Sequence, residues 1–166
     1  ARLLRQSISN EDEVVPLARE VEYAKGYLTI QKMRYKDKLE FEIDVEPSIL
    51  NIPLIKLVLQ PIIENAIYHG LKYKESKGLL QVKGFMKDGN AVLQVIDNGV
   101  GMDEETLSHI YDKHKVNYHS NGVGVYNVQK RLKLYYGENY GITYESEKGV
   151  GTTATITIPG IQEESI

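Results

Sequence analysis

The chain contains no cysteine and no tryptophan, and only two phenylalanines. Without a thiol it has no disulfide staple, no thiolate metal ligand and no cysteine nucleophile, a composition compatible with a reducing compartment such as the cytoplasm. Apolar runs approaching the ~18 residues of a membrane helix are missing too. No signal-like or targeting start is visible. Excess positive charge is also lacking: the net charge is −3, so a nucleic-acid backbone is not an expected partner. No G-x-x-x-x-G-K-[ST] phosphate loop can be read, and "GVGVYN" lacks the third glycine of a dinucleotide fingerprint.

What is present is 166 residues with 42% apolar content, enough for one well-buried core and too little for two comfortable domains. The opening "ARLLRQSISNEDEV" starts apolar and ends in an acidic break, as though the tail of a helix had been cut from its partner, so the chain is expected to begin mid-protein. From Val14 the residues Val14, Leu17, Val21, Ala24, Leu28, Gln31 and Tyr35 step by threes and fours, a helical period with Pro16 in the first turn. Such a stripe either packs on its own domain or forms a seam with a partner.

"KLEFEIDVE" alternates like a half-buried strand. Pro53 is expected to open a helix running through Leu57, Ile62, Ile63 and Ile67 to Gly70, kinked at Pro61. "LLQVKGFMKDGNAVLQVIDNG" reads as a hairpin turning at Asp88-Gly89-Asn90. A short helix follows Asp103, and "DKHKVNYHSN" has no apolar period and reads as a loop. Val125, Val128, Leu132 and Tyr136 mark a helix ending at Gly137, and "YGITYESE" and "TTATITIP" form a last hairpin around "KGVG". Hairpins whose helices must share one face imply a two-layer α/β sandwich with a mixed, largely antiparallel sheet.

Four short stretches stand out in order: "IIENAIYHG", "DNGVGM", "NGVGVYNV" and "GVGTTATI". Singly each has a plain structural explanation, since "DNGVG" suits a tight turn and "GVGTT" a hairpin loop. The glycines of "NGVGVYNVQKRL" lie at a helix start, where free N–H groups suit an anion such as phosphate. Together, in this order, the stretches resemble the N, G1, G2 and G3 boxes of the Bergerat ATP-binding fold shared by sensor histidine kinases, gyrase, Hsp90 and MutL. "VPLAREVEYAKGYLTIQKMRY" followed by "LQPIIENAIYHGL" is similar to the YesM/LytS-like bacterial sensor histidine kinases of two-component signalling, a resemblance extending over nearly the whole chain.

That resemblance implies a Bergerat-type two-layer α/β fold, with residues 1–35 as the end of a dimerisation or linker helical region, 36–160 as the ATP-binding catalytic domain and 161–166 as a frayed tail. It implies ATP and Mg²⁺ as cofactors, with Asp97 accepting from the adenine amino group and Gly99, Gly101 and Met102 passing under or beside the base. Asn65 is implied as the Mg²⁺ ligand, a role its hard carbonyl oxygen suits, and His69 as a phosphate contact. Glu64 or Gln60 would assist transfer, although Glu64 points about 100° from Asn65 on an ideal helix. Gly122 and Gly124 would end a mobile lid bearing Lys113, His114, Lys115 and His119 and open a helix toward the phosphates. Thr152 and Thr153 match the G3 threonine, and Arg131 is either a phosphate partner or a solvated charge.

In the family a Pro-His-Phe motif before the helix carries the phosphoacceptor; here no His precedes His69. The expected partners are therefore ATP, a separate phosphoacceptor dimerisation domain of the same kinase and a downstream response regulator, with no nucleic acid. The full-length protein is expected to be a membrane-bound homodimer with this part cytoplasmic. Pro61 stands four before Asn65, where gyrase and Hsp90 relatives carry the Glu that activates water, which argues for phosphoryl transfer over hydrolysis. A Bergerat ATPase, an anti-sigma-factor serine kinase and a non-catalytic nucleotide-sensing module remain the alternatives.

Overall fold

The computed structural model describes residues 14–111 and 122–161. Strand β1 (Val14–Pro16) leads into helix α1 (Leu17–Tyr35), followed by β2 (Leu39–Val45), β3 (Pro53–Ile55), helix α2 (Leu59–Asn65) and a π-helical turn over Ala66–Leu71. The hairpin β4 (Gly78–Lys87) and β5 (Asn90–Asp97) comes next, then a short helix α3 (Glu104–Ser108), helix α4 (Gly122–Tyr136), and the hairpin β6 (Gly141–Glu147) and β7 (Gly151–Pro159). The lid residues Lys113, His114, Lys115 and His119, and residues 1–13 and 162–166, lie outside the described residues.

The main sheet has the order β2-β4-β5-β7-β6, parallel only between β2 and β4, which is the mixed, largely antiparallel sheet expected. Alternate residues of a strand share a face. Leu80 and Val82, Leu93 and Val95, Ile142, and Ala154, Ile156 and Ile158 line the inner face beneath α1, α2 and α4, and all are buried. Each large apolar side chain taken out of water there contributes about 1.5–3 kcal/mol. Leu17, Ala24 and Leu28 of α1 belong to the same core. The apolar stripe of α1 thus packs on its own domain, while Tyr23, Ile30 and Met33 are exposed on the other side.

Three expectations change. Helix α1 begins at Leu17 rather than Val14, because Val14–Pro16 pairs antiparallel with Pro53–Ile55 in a separate two-stranded ribbon. The helix expected from Pro53 begins at Leu59 for the same reason. Pro61 then falls in the first helical turn, where its missing N–H has no partner to lose, and it kinks nothing. Beyond Asn65 the helix widens into a π turn over Ala66–Leu71, which carries His69.

Among the described residues no helix is long and apolar enough to cross a membrane. The short helix at 104–108 forms as expected: Asp103 caps it, its side chain accepting the Thr106 N–H at 2.8 Å.

Candidate nucleotide site

The end of β5 and the helix crossing it build the site. Asp97, the last residue of β5, lies on the covered face with Val95 and is 5% exposed. Its carboxylate accepts the Gly99 N–H at 2.8 Å and the Thr152 N–H as well. Burial pushes its pKa up from 3.8 to about 6, against the pull of those two N–H groups and of Lys74. The Asx turn and a ligand contact are compatible, since a carboxylate has about four acceptor positions.

Glycines make the approach to Asp97 feasible. A Cβ on Gly70 would stand 2.6 Å from Asp97 Oδ1, so any side chain there would displace the carboxylate. The Val100 N–H donates to Gly70 O at 2.9 Å, the Gly149 N–H to Val100 O at 2.7 Å, and the Met102 N–H to Ser146 Oγ at 2.8 Å. The 98–102 loop is therefore stitched between the π turn and the β6–β7 hairpin. Gly99 and Gly101, expected to let backbone approach a base, lie close against protein backbone: added Cβ atoms would meet Gly70 O at 2.2 Å and Glu147 O at 2.0 Å. Only Gly101 also needs its φ of +68°.

Asn65 ends α2 and is 7% exposed. Near it lies the Tyr144 hydroxyl, which is buried without a well-formed hydrogen bond among the described residues. Burial pushes the ionisation of Tyr144 upward, Tyr111 adds to this, the Asn65 side chain opposes it, and the Asp97 charge raises it further. Glu64 accepts from Gln60 Nε2 at 3.0 Å, so the two residues proposed to assist transfer are bonded to each other. Glu64 also faces α1, where burial first and the Glu64 charge second push the Tyr27 hydroxyl up to about 12.

His69 is half-buried, and burial, then Lys72, holds its pKa below the ordinary histidine value. Lys72 stacks over the Tyr68 ring at 4.4 Å. Helix α4 begins at Gly122, with Gly124 in its first turn and half-buried. Arg131 turns inward: its guanidinium donates to Lys56 O at 2.6 Å and Leu57 O at 3.4 Å. It clamps the turn before α2.

Of the two G3 threonines, the register sets Thr152 directly opposite Asp97 and on its face, its hydroxyl 2.7 Å from Ser146 Oγ. Thr153 pairs with Ile96 and faces the other side of the sheet, lining an open hollow with Gln81 and Glu145. Thr152 therefore replaces Thr153 as the residue beside Asp97. Gly70, Ser146, Tyr144, Lys72 and Lys74 were not singled out in the sequence. Gly70 closes the quoted "IIENAIYHG" and was within reach, whereas Tyr144 and Ser146 sit in an ordinary strand with no marking motif.

The cradle fits a purine nucleotide with a divalent cation: a buried acceptor at a strand end, a buried hydroxyl with no well-formed hydrogen bond among the described residues, and a buried amide at the end of α2.

Residues 51–162 match the family described as histidine kinase-, DNA gyrase B-, and HSP90-like ATPase, and residues 1–39 match the histidine kinase family. Sensor histidine kinase YesM of Bacillus subtilis (strain 168) is 32% identical over 157 residues, 95% of this chain and 26% of that protein. Sensor protein LytS of Oceanobacillus iheyensis is 35% identical over 130 residues, 77% of this chain and 22% of that protein. The chain thus spans about a quarter of the length of these relatives. Among solved structures, the catalytic domain of histidine kinase ThkA superposes with a TM-score of 0.68 at 14% identity, over 89% of this chain and 98% of that one.

Proposed function

The chain belongs to the histidine kinase-, DNA gyrase B-, and HSP90-like ATPase family, and from that premise we propose that it is the ATP-binding catalytic part of a sensor histidine kinase. It transfers the γ-phosphoryl group of ATP to a histidine on a dimerisation domain of the same protein, for relay to a response regulator. The observation that carries this is the burial of Asp97 at the end of β5 and of Asn65 at the end of α2, with the Tyr144 hydroxyl felt by both. The 1–39 match favours a kinase over a stand-alone ATPase, and Pro61 leaves no carboxylate at the position where water would be activated.

Asp97 accepts from an exocyclic amino group, which adenine presents where guanine has a carbonyl oxygen. Thr152 supports Asp97 through its N–H. Asn65 Oδ1 would hold Mg²⁺, whose charge would offset that of the phosphates. His69, whose charged form is disfavoured first by burial and then by Lys72, donates an N–H to phosphate oxygen. The amides of Gly122 and Gly124 face the phosphates at the α4 terminus. The bonded pair Gln60 and Glu64 orients the incoming imidazole, whose nitrogen bonds to phosphorus as the bond to the ADP oxygen breaks. Residues 1–35 lead from that acceptor domain into the catalytic part, and the whole protein is a membrane-anchored homodimer with this part in the cytoplasm.

Calorimetry of the chain with ATP and GTP in Mg²⁺ tests the binding half: ATP should bind at least tenfold more tightly. Mixing the chain with a separately made acceptor domain and radiolabelled ATP should place acid-labile label on the acceptor and none on the chain. Equal affinity for GTP overturns the role of Asp97. Label on the chain alone, or rapid phosphate release without an acceptor, overturns the kinase reading in favour of a serine kinase or an ATPase.

A further inference from the structure

Among the described residues the buried polar side chains are Asn65, Asp97 and Glu20. The first two belong to the pocket. Glu20 stands on α1, 3% exposed, outside every motif discussed above.

Glu20 Oε1 accepts the Val58 N–H at 2.8 Å and the Leu59 N–H at 3.4 Å. These residues are the N-cap and first residue of α2, and Val58 itself supplies no side-chain cap. The contact is reciprocated at the other helix: the Leu17 and Ala18 N–H groups, at the start of α1, donate to Ile52 O and Leu50 O at 2.9 Å. Each helix has its free amide end satisfied by the segment that carries the other. The turn before α2 is also gripped from α4, by Arg131 on the Lys56 and Leu57 carbonyls. Leu57 sits at φ +58°, a left-handed conformation that a leucine holds only when its surroundings dictate it.

The contact joins two separately matched parts of the chain, residues 1–39, which contain Glu20, and residues 51–162, which contain α2. Helix α2 has seven residues, so Asn65 lies about two turns beyond the amides that Glu20 holds. We propose that Glu20 is a positioning residue: by capping α2 from α1 it sets where Asn65 presents its oxygen to Mg²⁺, and ties that setting to the placement of α1. The inference rests on the reading of Asn65 as the Mg²⁺ ligand. Asp97 is carried by β5, not α2, so adenine recognition does not pass through Glu20.

The discriminating quantity is the gain in ATP affinity of the chain on going from EDTA to Mg²⁺, measured by calorimetry. Glu20→Ala should cut that gain at least fivefold while leaving affinity in EDTA within twofold of the parent. Glu20→Gln keeps a side-chain oxygen at the same reach and should stay within twofold of the parent. Glu20→Asp keeps the charge but draws the carboxylate back from Val58 and should lose at least threefold, and this pair decides the matter if the alanine variant does not fold. In an Asn65→Ala background, Glu20→Ala should have no further effect on the gain. Amide exchange gives a second readout: protection should fall over 58–65 in Glu20→Ala while the sheet stays protected.

Equal losses with and without Mg²⁺, an unchanged gain, or an effect that persists without the Asn65 amide would overturn the inference. A parent that binds ATP with no gain from Mg²⁺ removes Asn65 from its role and overturns the inference with it. A parent that does not bind ATP at all instead refutes the reading of the pocket.

Discussion

Replacing Asp97 by asparagine is expected to stabilise the empty protein at pH 8 while weakening ATP binding about 10- to 100-fold, the loss that follows from removing a charged hydrogen bond. Both effects have one cause. The carboxylate is buried, and its pKa is raised from 3.8 to about 6. A group that holds its proton more tightly when folded contributes stability below its unfolded pKa, and loses that contribution as pH rises through the folded value. Above about pH 6 the ionised Asp97 is therefore a burden on the fold. A shift of about two units corresponds to an upper bound of about 3 kcal/mol.

The amide removes the charge but puts an NH₂ donor where one acceptor oxygen stood, so a gain of about 1–2 kcal/mol is expected. Chemical denaturation at pH 8 and at pH 4.5 measures it, and the gain should shrink at the lower pH, where the parent is already protonated. The amide NH₂ would meet the adenine amino group donor to donor, and hence the affinity loss. For the parent, ATP affinity should fall as pH drops below about 6, because protonation removes acceptor capacity. An Asp97→Asn variant that binds ATP like the parent, or a parent whose affinity is flat from pH 7.5 to 5, refutes the assignment.

The second large effect is expected at Gly99. Its added Cβ would lie 2.2 Å from both the carbonyl carbon and the oxygen of Gly70, and neither is a side chain that can swing away. Gly99→Ala must push the 98–102 loop off the π turn and break the Val100 N–H to Gly70 O bond. The cost is expected to be about 3 kcal/mol or more, the range of overpacking combined with a lost buried hydrogen bond. Gly26 supplies the control: it sits inside α1 with nothing within 4 Å of the added atom, so Gly26→Ala should stabilise by about 0.5–1 kcal/mol. Urea denaturation of the two variants measures the contrast. A Gly99→Ala protein within about 1 kcal/mol of the parent would mean that the approach is not tight.

The strands were legible because alternation is a local property. Leu80 and Val82, or Ile156 and Ile158, announce a half-buried face within a few residues, and Asp88-Gly89-Asn90 announces the turn. The candidate residues Asp97, Asn65, Gly122 and Gly124 stood out for another reason: the proposed chemistry calls for particular residue types at strand and helix ends, and those fall in short stretches. The start of α2 was not legible. Its run "LIKLVLQPII" is apolar in both periods, and what breaks it is pairing with Val14–Pro16, some forty residues away. Which threonine faces Asp97 depended on the register between β5 and β7, where a slip of one residue exchanges Thr152 for Thr153.

By itself the sequence determined the fold class, the strands of the main sheet, and the acceptor, amide and glycines on which the proposed nucleotide site rests. Each of these follows from local preferences of the backbone and from residue chemistry. Only the tertiary structure decided that Gly99 and Gly101 serve close approach of protein to protein, that Arg131 clamps the turn before α2, and that Glu20 caps that helix from α1. Those roles exist because buried N–H and C=O groups must find partners wherever the fold brings them, and separation along the chain carries no trace of which partner that is.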